Sequence, residues 1–585
     1  MPRNAVTERS RALGRTDHRD AADDSSRFRV ATTESATEDQ HRYEPPRSLS
    51  DEMTEQGDHV ADGSDGADGA DVAVSDDIEY GIDDKPPLGE SFVLGIQHYL
   101  TMVGANIAVP LILAGAMEMP ADVTARFIGT FFVVSGIATL AQTTLGNRYP
   151  IVQGAPFSML APALAIVFVV TNGGVGGGGW EAALLQLQGA IIVAATVQVA
   201  MGYLGLVGKL RRFLSPVVIA PTIALIGLAL FDAPQITSAE QSWPLLGLTL
   251  GLILLFSQYL DVKARAFRLY PVILALIIAW VVAAALSAGG VITDAHPGYV
   301  ALGDVTDTQP LLPIYPFQWG TPQITTAFVI GMFAGVLASI VESIGDYYAV
   351  ANLTGSAAPS EKRINHGIGM EGLMNVFSGI MGTAGSTSYS ENIGAIGLTG
   401  VASRYVVQLG AVVMLLFGFI GYFGQLVATI PDPIVGGLFI AMFAQIVAVG
   451  VSNLRHVDLD SSRNTFVIGF ALFVGLAIPA YMGNFESTIA FREAIALESA
   501  LAGQPGWLEA AAQAVVDTIF IIGSTGMAVG GLAALVLDNT IPGSREERGL
   551  AHWDRITEDE SEFESFWDRW LGADDNAAFD AERQD

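Results

Sequence analysis

The sequence contains no cysteine. That excludes disulfides, thiolate metal sites and a cysteine nucleophile. Basic residues are scarce: 29 Lys and Arg stand against 60 Asp and Glu, a formal net charge of −31, and arginine far outnumbers lysine. A nucleic-acid partner is not expected, because phosphate binding needs a basic surface. An acidic, lysine-poor surface suits a halophilic cytoplasm, where high salt screens like charges. Acidic disordered tails would give the same balance. No apolar stretch opens the chain, so no cleavable signal peptide is expected. His-Glu-x-x-His, a Ser-Lys pair at plausible depth and any metal-ligand cluster are also missing from the sequence, which argues against a membrane enzyme.

Apolar sequence is abundant. Apolar residues make up 51% of the chain, and 64 residues are glycine. A run of about 20 apolar residues crosses a bilayer, and many such runs lie between 91 and 537. The expected fold is an all-α polytopic membrane protein with fourteen transmembrane segments. Seven fall in residues 87–290 and seven in 323–537, the latter including single unbroken spans at 403–428 and 512–537, around an extracellular loop at 291–322. An odd number of spans per half makes the halves an inverted repeat. The third segment (151–171) and the tenth (384–397) are interrupted by Gly, Pro or Ser and should be partly extended. Paired broken segments at corresponding positions point to a transporter's binding site.

Residues 1–86 and 538–585 read as acidic cytoplasmic tails, the first disordered. In the second, "FESFWDRWL" would form a short amphipathic helix at the membrane surface. Loops such as "GKLRR", "SEKRINH" and "GSREER" carry the basic residues on alternate sides. Both termini are therefore expected in the cytoplasm of a plasma-membrane protein, with Arg126 and Arg492 as exceptions. The glycine run at 173–179 lacks the Lys-Ser/Thr of a phosphate loop and reads as a linker.

The polar residues inside the apolar runs carry the function. "SYSENIGAIGLTG" (388–400) places Glu391 and Asn392 in a membrane segment. A carboxylate at mid-membrane costs roughly 2.5–3.5 kcal/mol on insertion scales, so it should face protein or water. A half-helix starting near Glu391 would present unpaired backbone N–H groups. The plainer alternative is that Glu391 caps that half-helix. In the third segment, "RYPIVQGAPFSMLAP" (148–162) should run extended into Phe157, whose ring either stacks on a flat ligand or packs as ordinary core. In the eighth, "IVESIGDYYAVANLTG" (340–355), Glu342 and Asp346 are four apart and share a helix face. Their mutual repulsion favours a held proton or a cation between them. The first segment contributes Gln97, His98 and Asn106, with His98 expected as a helix–helix support. Two carboxylates, two sets of backbone donors and an aromatic face suit a small planar neutral molecule with alternating N–H and C=O groups, as a nucleobase has.

These residues resemble the nucleobase–ascorbate transporters, nucleobase:cation symporter family 2. "ENIGAIGLTG" is similar to that family's signature, and "ESIGDYYA", "QHYL" and "EGLMNVFSGIMGTAG" to its other motifs. The resemblance implies an inverted repeat folded into core and gate domains, elevator-type alternating access and a homodimer in the lipid bilayer. It implies that Glu342 and Glu391 bind the base and that Phe157 and Ser390 add backbone contacts. Asp346, His98 and Gln97 would support the site and its coupling to H+ or Na+, and Asn392 and Thr399 would hold the tenth segment. No metal or other cofactor is implied. Two residues depart from the pattern. Gly400 replaces the basic residue that usually ends the signature, with Arg404 four residues on. Asp346 stands where uracil members tend to have His and is more like the purine and ascorbate members; Glu391, where ascorbate members typically have proline, then argues against ascorbate. The favoured substrate is xanthine or uric acid, then uracil. An anion transporter or channel of the same fold is the alternative.

Overall fold

A computed structural model describes residues 78–171, 178–210, 213–231, 233–306, 308–485, 488–497 and 504–550, together with Phe563, Ser565 and Asp568. The 173–179 linker and "FESFWDRWL" lie mostly outside the described residues, as do residues 1–77.

The first half contains α1 (Leu88–Ala116), α2 (Ala121–Thr144), β1 (Gln153–Gly154), α3 (Leu160–Thr171), α4 (Gly179–Tyr203), α5 (Pro216–Leu228), α6 (Trp243–Leu254) and α7 (Pro271–Ala288). The second contains α8 (Thr326–Leu353), α9 (Glu361–Met381), β2 (Thr387–Ser388), α10 (Ser390–Thr399), α11 (Arg404–Phe419), α12 (Gly421–Ala428), α13 (Asp432–Ser452), α14 (Ser462–Met482), α15 (Gly506–Gly523) and α16 (Gly526–Thr540). Among the described residues seven helices, α2, α4, α7, α8, α13, α14 and α15, are long and apolar enough to cross a membrane; α1, bent by 41°, makes an eighth if it is one span. Helix starts follow local chemistry. Ser360, Ser403 and Ser461 accept the Arg363, Val406 and Asn464 N–H groups at the starts of α9, α11 and α14. Proline opens α5, α6, α7 and α13, where its missing N–H costs nothing.

The helices pack as two sets. In one, α2 lies against α11 and α12, α4 against α8 and α9, and α1 against α11. In the other, α5 lies against α13, α14 and α16, and α6 against α7 and α13. Gly95 and Gly410 let α1 and α11 touch: a Cβ at Gly95 would sit 2.8 Å from the Gly410 nitrogen.

Three expectations are corrected. The eleventh segment, read as unbroken over 403–428, breaks at Ile420. There the loop before α8 enters: Leu312 N–H donates to Phe419 O and Gly421 N–H to Pro310 O, each at 2.9 Å. The stretch 512–537, read as one span, is α15 and α16, parted at extended Thr525 (φ −111°, ψ 98°). The first tail does not reach residue 86 as free chain. Tyr80 forms a parallel bridge with Val401, and Ala402 N–H donates to Tyr80 O at 2.8 Å.

Candidate functional site

Prolines 150 and 156 interrupt the third segment, and Gly382 (φ 85°) and Gly385 (φ 108°) precede β2. The freed backbones pair with each other: β1 and β2 run antiparallel, Gln153 opposite Ser388 and Gly154 opposite Thr387. Tyr389 N–H extends the ladder to Val152 O at 3.0 Å. Gly154 is needed here because a Cβ would lie 2.4 Å from the Tyr389 ring, whose hydroxyl donates to Ala155 O at 2.8 Å. The half-helices α3 and α10 start just beyond the crossing.

Most of the sequence-predicted residues gather around it. Ser390 is the first residue of α10 and Glu391 the second; the Glu391 side chain lies outside the described residues. Asn392 Oδ1 accepts from Val152 N–H at 2.8 Å, and its Nδ2 lies 3.2 Å from His98 Nδ1. One amide thus ties α10 to the third segment and to α1. Asp346, on α8, accepts from Ser388 Oγ at Oδ2 and from Ser390 Oγ at Oδ1, both at 2.6 Å. It anchors the strand and the half-helix to α8. Glu342 is half-buried one turn earlier. Phe157 is buried, its ring edge-on to Phe443 of α13 at 6.2 Å between centroids, so it spans the two helix sets. Thr399 Oγ1 accepts from Val401 N–H at 3.2 Å at the far end of α10. Gln97 is half-buried on α1, with Nε2 unpartnered among the described residues.

Sequence reasoning missed Glu371 on α9. Its carboxylate is buried and accepts from Ser343 Oγ at 2.5 Å, Ser339 Oγ at 2.8 Å and Gln198 Nε2 at 3.1 Å. Gln198 Oε1 in turn accepts from Asn375 Nδ2, and Asn375 Oδ1 accepts from Ser386 N–H at 2.6 Å. Thr387 Oγ1 shares a hydrogen bond with Ser339 at 2.7 Å. A second buried carboxylate thereby holds β2 from behind. The signal lay in the sequence: Ser339 and Ser343, four apart on α8, mark a polar helix face awaiting a partner.

A helical membrane protein whose two interrupted segments cross at a buried polar centre belongs to the class of multi-pass transporters. The profile of a permease family matches residues 89–483. Solute carrier family 23 member 2 of Rattus norvegicus is 41% identical over 521 residues, covering 82% of this chain and 76% of that one. Nucleobase-ascorbate transporter 2 of Arabidopsis thaliana is 34% identical over 497 residues, covering 81% and 91%. Among solved structures, the transmembrane domain of a cyanobacterium bicarbonate transporter superposes with a TM-score of 0.47 at 16% identity, covering 66% of this chain and 95% of that one. The chain belongs to the nucleobase–ascorbate transporter family of permeases. Its relatives are transporters, not enzymes.

Proposed function

We propose that this protein carries a nucleobase across the plasma membrane together with H+ or Na+, with xanthine or uric acid favoured over uracil. The crossing of β1 and β2 supports this reading most directly. Backbone freed from helices at a buried crossing is tolerated only where protein or a water-filled cavity satisfies it. Here the Asp346–Ser388/Ser390 bonds fix α10 beside the turn of α8 that bears Glu342. A purine dione offers the N–H and C=O edge that a carboxylate and backbone N–H groups match, and Phe157 offers a ring near its plane.

The set built on α2, α4, α8, α9 and α11 would be the core that moves, and the set built on α5, α6, α7, α13, α14 and α16 the gate. Fourteen segments in two inverted halves, a homodimer, cytoplasmic termini and elevator-type movement belong to the same proposal. Glu342, Glu391, Phe157 and Ser390 would hold the base. Asp346, His98, Gln97, Asn392 and Thr399 would support it. Ascorbate, the other molecule in the plant relative's name, is an anion at neutral pH and would bring its charge beside Glu342 and Glu391. The same repulsion weighs against a simple anion carrier of this fold.

The test is uptake into proteoliposomes at high salt, with xanthine, uric acid, uracil and ascorbate in competition. Saturable uptake of one purine, lost in Glu342→Gln protein that still unfolds cooperatively, is the expected result. Uptake of ascorbate alone, or of none, would overturn the assignment. Uptake that follows a pH gradient without sodium assigns the proton; uptake only down a sodium gradient assigns Na+.

A further inference from the structure

Residues 79–84 lie along the inner end of the tenth segment. α10 ends at Gly400 in the left-handed region (φ 71°). The last carbonyls of a helix have no partner within it. Here Gly400 O accepts from Glu79 N–H at 2.8 Å and from Tyr80 N–H at 3.1 Å. Arg404 N–H donates to Ile82 O at 3.0 Å, and Ser403 Oγ to Asp84 O at 2.6 Å. The segment is stitched to 400–404 by backbone.

Asp83 adds charge to the stitching. Its Oδ1 lies 2.6 Å from Arg404 Nε and 3.7 Å from Arg148 NH2. Arg404 leads away from α10. Arg148, itself at φ 62°, leads into β1. One carboxylate therefore joins the chain entering the third-segment strand to the chain leaving the tenth-segment half-helix. The Arg404 side chain is only 8% exposed and also donates to Thr143 O at 3.3 Å and Tyr405 Oη at 2.7 Å. It is held rigidly and the exposed Asp83 comes to it.

We propose that Glu79–Asp84 is a clasp that positions α10 from its inner end and thereby sets substrate affinity. Asp83 is its positioning residue. The consequence for affinity rests on the reading of α10 as a substrate-binding element. Because Asp83 is two-thirds exposed, its contribution weakens as ionic strength rises, while the backbone bonds persist.

The experiment compares full-length Asp83→Asn, Asp83→Glu, Tyr80→Pro and, as controls, Asp84→Asn and Tyr80→Phe. Tyr80→Pro removes one donor to Gly400 O, and Tyr80→Phe, which loses only the hydroxyl bond to Glu90 at 3.2 Å, controls for the side chain. The Asp84 carboxylate accepts only locally, from Gly81 N–H at 2.7 Å. Two readouts are taken: amide hydrogen exchange over 392–404, and the half-saturation concentration against the maximal rate of uptake. Asp83→Asn and Tyr80→Pro should raise exchange at least tenfold and half-saturation at least threefold, with the maximal rate within twofold. Asp83→Glu should return most of both, and both controls should match the unaltered protein. Unchanged exchange overturns the clasp. Raised exchange with unchanged half-saturation overturns its role in affinity and leaves a structural brace. If the unaltered protein takes up no base, the nucleobase reading fails, and exchange alone decides the clasp.

Discussion

Asp346 has both carboxylate oxygens committed to serine hydroxyls of the tenth segment. That makes it an anchor before it is anything else. Hydrogen bonds to a charged group are worth about 1.5–3 kcal/mol each. Asp346→Asn keeps the shape but turns one acceptor into a donor facing Ser388 or Ser390. The half-saturation for uptake should rise by about tenfold or more, since each 1.4 kcal/mol is a factor of ten; transport assays on quantified protein measure it. An unchanged value would mean the serines reorient freely. Gly154→Ala probes the other side of the crossing. Its new methyl would lie 2.4 Å from the Tyr389 ring, which is buried and cannot swing out. Overpacking of this kind costs about 1–3 kcal/mol, so thermal unfolding in detergent should shift down. An unaltered midpoint would show room that the packing denies. That His98, Asn392 and Asp346 would each be partnered was legible, because a polar residue in an apolar run demands a partner. Glu371 was missed, because α9 is mixed along its length: the serine pair on α8 announces a partner, and only the fold shows that Ser339, Ser343 and Gln198 all meet Glu371.

The two broken segments could be read at the element scale because Gly, Pro and Ser change what a backbone can do. The breaks at Ile420 and Thr525 were not read, although Gly418 and Gly421 flank the first and Gly523-Ser524-Thr525-Gly526 spans the second. Hydropathy stays high across both, and it is blind to a kink imposed by a neighbour. At Ile420 the neighbour is the loop before α8, a clamp over one end of a helix set. Gln318 donates to Thr130 Oγ1 at 2.8 Å and to Met381 O at 3.0 Å. Trp319 Nε1 donates to Gly382 O at 3.2 Å, while the Arg126 guanidinium sits 4.7 Å from its ring. This contact explains Arg126, a cation expected on the wrong side of the membrane: it serves the loop. Trp319→Ala removes a hydrogen bond worth about 1 kcal/mol and a cation–π contact worth about 0.5–1 kcal/mol, besides buried ring area. Stability should fall by about 2 kcal/mol or more, and hydrogen exchange at 380–383 should rise more than at α14. Equal changes in both places would mean the loop acts on the whole fold and is no local clamp.

At the scale of the whole molecule, a chain of net charge −31 sets several of its few cations against carboxylates in its last third. Asp538 is fully buried near the end of α16. It accepts from Arg463 NH1 at 2.8 Å, Arg548 NH2 at 2.7 Å and Ser215 Oγ at 2.7 Å. Removing one partner of a buried ion pair costs about 3–5 kcal/mol, because the others stay buried without compensation. Asp538→Ala should therefore lower the unfolding midpoint sharply and do so at any salt concentration. A loss that vanishes in molar salt would show that the site is open to water. Further along, the buried Phe563 ring lies 4.6 Å from the Arg363 guanidinium, and Asp568 pairs with Lys362 at 2.7 Å. This second anchor sits on α9, on the other helix set from Asp538. Both partners of the pair are exposed enough for salt to screen it. The Lys362 ammonium lowers the Asp568 carboxyl from its ordinary 3.8 to about 2. A carboxyl depressed on folding adds stability above its unfolded value and loses it as pH falls through the folded one. Docking of Phe563 should thus be constant from pH 8 to about 4 and fail only toward pH 2, yet weaken steadily with added salt. The 19F signal of a fluorophenylalanine placed site-specifically at position 563 reads both dependences and leaves the Ser565–Asp568 bonds intact. Release near pH 6 would assign the contact to His366, whose ring lies 5.8 Å from Phe563, and would take Asp568 out of the anchor.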